Sequence, residues 1–136
     1  MLYRRLTIVL LLSLLGAAPA FAAAPDCANA ETQAALDLCA GKALRDADQA
    51  LDRVRKALNK ELSDPSARAA LAQAEKSWDA YRDAECRFEA SGVAGGSAEH
   101  MVIAYCQAQR ARTRMGVLKR ILDCKEGDLT CPALTR

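Results

Sequence analysis

Side chains able to do chemistry gather in two places in this sequence. One is a set of six cysteines, and the other is the segment KSWDAYRDAEC, residues 76–86, which holds the chain's one tryptophan. Thiols can attack a substrate, bind a metal or pair with each other. Attack needs a neighbouring base, and His100 is the one histidine in 136 residues, far along the chain from most of the cysteines. Zinc needs closely spaced ligands, and CxxC pairs are absent. Pairing remains, with an even count that suits an exported protein. Neither a metal nor a cofactor is expected.

Within the tryptophan segment, Trp78, Arg82 and Cys86 are each four apart, with Tyr81 and Glu85 beside them. All five fall on one broad face of a helix. General acid–base catalysis would need a carboxyl with a shifted pKa in a cleft, and Glu85 is the candidate. The simpler role is charge satisfaction, with Glu85 paired to Arg82, Arg114 or Lys42 near the end of a helical bundle. The stretch RARTRMGVLKR carries five basic residues in eleven, which reads as a solvated helix face. GVAGGS lacks the lysine and the preceding strand of a phosphate loop. No catalytic residue emerges, and the chain is expected not to be an enzyme.

The elements that position these residues are helices. Residues 1–22 read as a cleavable leader: a basic start at Arg4 and Arg5, an apolar run too short to span a bilayer, and Ala20-Phe21-Ala22 as the cleavage site. Cys27 follows Ala24-Pro25-Asp26, so no lipid anchor is expected, and the mature chain is expected in the periplasm or outside the cell. Losing the leader leaves 17 basic residues against 17 acidic ones. A neutral chain argues against nucleic-acid binding and against a membrane-surface helix.

Helical spacing appears three times in residues 23–123. The first stripe is Leu36, Ala40, Leu44, Ala47, Leu51, Val54, Leu58 and Leu62. Asp64 and Pro65 then form a helix start signal. The second stripe is Leu71, Ala74, Trp78, Tyr81, Glu85 and Phe88, ending at the glycines of SGVAGGS. Ser97 is the expected cap of the third helix, whose stripe is Met101, Ala104, Ala108, Ala111, Met115, Leu118 and Leu122. Short connections make neighbours antiparallel. The expected fold is all-α: a small disulfide-stabilised three-helix bundle with a disulfide-closed tail at residues 124–136.

Helix rise constrains the cysteine pairing. At about 1.5 Å per residue, Cys39 lies roughly 36 Å before the first turn and Cys86 roughly 33 Å beyond it. Both therefore sit at one end, with Cys27 and Cys106. Cys124 is at the other end, where only Cys131 can reach it. For the remaining four, Cys27–Cys39 with Cys86–Cys106 closes local loops and is preferred. Cys39–Cys86 with Cys27–Cys106 stays open as the alternative.

These motifs resemble a known family. Cys27 and Cys39, Asp48-x-x-Leu51, Trp78-x-x-Tyr81-Arg82-Asp83-x-x-Cys86, and Cys106 followed by Arg114 and Leu118 are similar to the LprI-type domain of small exported bacterial proteins. The likeness spans roughly residues 27–122, with Asp52, Arg55 and Ala111 departing from the usual pattern. It implies a small disulfide-bonded helical fold in which Trp78 and Tyr81 fill a sparse core and Arg82 ties to an acid such as Asp48 or Glu85. It also implies a protein partner, a lysozyme-type muramidase, contacted through the 91–97 loop and the acids Glu89 and Glu99. The alternative is an accessory module that binds another envelope protein through its helix faces.

Overall fold

The computed structural model describes residues 26–125, 127–132 and 134. The leader assigned to residues 1–22 lies outside the described residues. Helix α1 spans Gln33–Glu61, α2 spans Pro65–Glu89 and α3 spans Glu99–Leu122, with a short 3-10 turn at Ala90–Val93. Among the described residues there is no strand, and an isolated antiparallel bridge joins Leu62 to Leu134. No helix among them is long and apolar enough to cross a membrane.

Local chemistry sets the helix ends. The Thr32 hydroxyl accepts from the Ala35 N–H to open α1. Asp64 accepts from the Ser66 N–H at 2.9 Å, with Pro65 supplying the helical φ that begins α2. Ser97 does not cap α3. Its N-cap is Ala98, which makes no side-chain bond, and the Glu99 carboxylate reaches back to accept from the Gly95 N–H at 2.8 Å. Gly95 has φ +73°, a conformation that suits glycine.

The core is lopsided. Its fully buried cluster is Ala47, Leu51, Val54, Leu58 and Leu62 from α1 and its cap, with Ala108, Ala111 and Leu118 from α3. These two helices run the same way and pack along their length, while α2 rests more loosely on α3. Alanines at 40, 47, 108 and 111 are 0–4 % exposed, and their small side chains let α1 and α3 approach closely. Ala111→Leu should therefore overpack this seam and lower the unfolding free energy by about 1–3 kcal/mol in urea titration.

From α2, only the partly buried Ala67, Leu71 and Trp78 touch that cluster. The second stripe of the sequence reading is corrected here. Ala74, Tyr81 and Phe88 are exposed, Tyr81 at 55 % and Phe88 at 78 %, so Tyr81 does not fill the core. The inward line of α2 is Leu71, Glu75, Trp78, Arg82 and Cys86, also at three-and-four spacing but with two charged residues among the five. Leu71 and Trp78 of the stripe do face inward, and Arg82 ties to Asp48 as the family likeness implies, but the remaining inward position is Glu75, a paired charge that periodicity reads as surface.

The disulfides are Cys27–Cys39, Cys86–Cys106 and Cys124–Cys131. The first two hold one end of the bundle. The third closes the tail, whose Leu134 packs against the core at the other end.

Candidate functional site

Between α2 and its neighbours lies a layer of ions around one ring. Glu75, whose side chain is 10 % exposed, is the keystone. Its Oε2 accepts from Arg55 Nε at 2.6 Å, and its Oε1 accepts from Arg114 at 2.5 and 3.0 Å. Arg55 donates a second bond to Asp79 at 2.8 Å, and Arg82 donates to Asp48 at 2.7 Å. The Trp78 ring sits among them, with the guanidinium carbons of Arg82, Arg55 and Arg114 at 5.2, 5.4 and 5.9 Å from its centroid. Such contacts are cation–π attractions, strongest where water is excluded.

The helices supply these groups in register. Asp48 and Arg55 are seven apart on α1, and Glu75, Trp78 and Arg82 follow the inward line of α2. Burial disfavours the Arg55 cation, but hydrogen bonds to Asp79 and Glu75 outweigh it and hold its pKa above the ordinary arginine value. Three guanidinium groups are matched by Glu75, Asp79 and Asp48, so the layer is neutral as a whole. Every charge here is spent on another charge, which is the pattern of a structural joint.

At the disulfide-held end the surface differs. Tyr81 donates to Glu85 at 2.5 Å. That bond to a carboxylate raises the tyrosine pKa, the opposite of what a proton-transferring phenol needs. Glu85 does not pair with Arg82, Arg114 or Lys42: its Oε2 lies 3.1 Å from Arg110 Nε, and Arg110 also bonds Glu89. Glu85 thus joins α2 to α3, and Lys42 pairs with Asp46 instead.

The residues singled out from the sequence separate into two groups. Asp48, Trp78, Arg82 and Arg114 come together in the ionic layer, and Leu51 and Leu118 are buried in the core. Asp83 accepts from Gln107 at 2.9 Å and stands 3.5 Å from Arg82, at the edge of the layer. Tyr81 lies apart from it. Glu89 is tied to Arg110, and Glu99 closes the loop through Gly95. The basic run on α3 also divides, with Arg110 and Arg114 turned toward α2 while Arg112, Lys119 and Arg120 are exposed. Glu75 and Asp79 are absent from the sequence reading, which gives Arg55 no partner. Oppositely charged residues seven apart, Asp48 with Arg55 and Glu75 with Arg82, are the signal that points to Glu75 and Arg55, and Asp79 has no such signal.

An exposed apolar surface with a charged edge lies at this end. Residues 91–97 are all exposed, Val93 at 37 %, and Phe88 stands beside them on the last turn of α2. Glu85 and Glu89, braced by Arg110, form a polar rim.

Comparison with known proteins adds the family. The model of the family described as lysozyme inhibitor LprI matches residues 24–118. An uncharacterized protein of Rhizobium meliloti (strain 1021) is 33 % identical over 114 residues, covering 75 % of this chain and 82 % of that protein. No solved structure matches significantly. A family-model match over most of the chain, joined to a relative of nearly the same extent, places it: the chain belongs to the lysozyme inhibitor LprI family.

Proposed function

We propose that this protein is exported to the periplasm or secreted after loss of its leader, and that it inhibits a lysozyme-type muramidase by forming a stoichiometric complex. The family supports inhibition, and the three disulfides suit an oxidising compartment. The observation that carries the contact surface is Phe88, a large apolar side chain 78 % exposed beside an exposed loop that Cys86–Cys106 anchors. An aromatic anchor inside a rim of paired charges is the usual anatomy of a protein interface. Glu89 and Glu99 act in this reading by bracing the loop and its rim.

The test is calorimetric titration of the oxidised protein into a c-type and a g-type lysozyme. Phe88→Ala should weaken binding at least about tenfold, or about 1.4 kcal/mol. Its melting temperature should be unchanged, because the ring buries little in the free protein. Leu129→Ala, at a fully exposed position on the tail, should bind as the parent does. Equal binding by Phe88→Ala would remove the proposed surface, and no heat with either enzyme would remove the proposed target.

A further inference from the structure

We propose that α2 is a strap that opens locally while the α1–α3 core stays folded. Helix α2 supplies no member of the fully buried apolar cluster, which belongs to α1, its cap residue and α3. Its own buried positions are Glu75 and Cys86, an ion and half of a disulfide. What docks its middle is the ionic layer: Asp48 and Arg55 from α1, Glu75, Asp79 and Arg82 from α2, and Arg114 from α3. Pairs like these repay the desolvation of their own charges and little more, so breaking them all at once and rehydrating them is cheap beside exposing a leucine core.

Both ends of α2 are tethered. The turn at residues 62–64 joins it to α1, and Cys86–Cys106 fastens its last turn to α3. A helix held at both ends cannot swing away rigidly, so opening means unwinding its middle between two fixed points. That event bares Trp78 and frees the guanidinium groups of Arg55 and Arg114 to solvent, and then reverses. Regions with few buried apolar contacts are where such sub-global openings occur. The inference concerns the free protein and does not depend on any partner.

Native-state amide hydrogen exchange on the oxidised protein tests it. Amides in residues 72–82 should exchange at least about tenfold faster than those in 51–58 and 108–118. Glu75→Gln should speed exchange in 72–82 by about tenfold or more. The decisive variant is Leu58→Ala, in the core that remains built when the strap is open. It should accelerate exchange in 51–58 and 108–118 while leaving 72–82 within about twofold. If alanine prevents folding, Leu58→Val carries the same sign with a smaller effect. Exchange of all three helices at one rate, or equal acceleration of all three by the Leu58 variants, would make the bundle one cooperative unit and overturn the proposal.

Discussion

Glu75→Ala should weaken the docking of α2 by about 3–5 kcal/mol, measured by urea denaturation followed through Trp78 fluorescence, which reports that layer. The glutamate is the shared acceptor of Arg55 and Arg114, and both guanidinium groups are only 20 % exposed. Its removal leaves two half-buried cations near one ring, with Asp79 still holding Arg55 and nothing matching Arg114 in the layer. Arginine does not shed its proton at accessible pH, so neutralisation offers no escape. The effect should be strongly non-additive. Replacing Arg55, Glu75 and Arg114 together by apolar residues of similar volume should cost less than Glu75→Ala alone, because well-packed apolar replacements often match or exceed a buried ion group. A triple variant as unstable as the single one would mean that shape rather than charge balance sets the cost.

The second large effect is expected at Cys86–Cys106. Changing both to alanine should destabilise the protein by about 3 kcal/mol, the loop-closure value for a bridge of this span. That bridge has a sequence separation of 20, against 12 for Cys27–Cys39 and 7 for Cys124–Cys131, so it restricts the unfolded chain most. It also occupies a fully buried position, since Cys86 is 0 % exposed. Removing Cys124–Cys131 should cost less and leave the 91–97 loop undisturbed, as that bridge lies at the opposite end. Urea midpoints of the two double variants, compared under oxidising conditions, check the ranking.

These two sites also show where sequence reasoning works and where it stops. The stripes of α1 and α3 were legible because their inward residues are Leu, Val and Ala at helical spacing, and those residues form the core. The start of α2 was legible because Asp64 and Pro65 act locally. The inward face of α2 was legible only in part. Apolar periodicity places Leu71 and Trp78 correctly but adds Tyr81 and Phe88, while Glu75 and Arg82 go inside because partners on α1 and α3 neutralise them; of these pairs only Arg82 with Asp48 is implied by the family likeness. A one-dimensional pattern cannot see those partners.

The same limit hid the role of Arg55. It was noted only as a departure from the family pattern, and it proves to bond both Glu75 and Asp79. Ala111, another of the three departures, is 0 % exposed in the α1–α3 seam, where its small size permits close approach. Ser97 has the residue type of a cap, but α3 begins after Ala98 with no side-chain cap, and the Glu99 carboxylate instead closes the preceding loop through the Gly95 N–H. The bridge between Leu62 and Leu134 joins residues far apart in sequence and left no local signal.

The candidate surface was partly legible. Glycines marked the 91–97 loop, and the cysteine arithmetic placed it at the pinned end. Glu89 and Glu99 are expected as contact acids near that loop, and in the fold each also has an internal partner. Phe88, assigned to the core from its spacing, is the residue that the fold leaves outside.

The most direct test of the functional account is inhibition of cell-wall hydrolysis by c-type and g-type lysozymes, titrated with the purified oxidised protein. The account predicts inhibition that saturates near one inhibitor per enzyme and is lost with Phe88→Ala. Full lysozyme activity at tenfold excess of the protein, with both enzyme types, would contradict it.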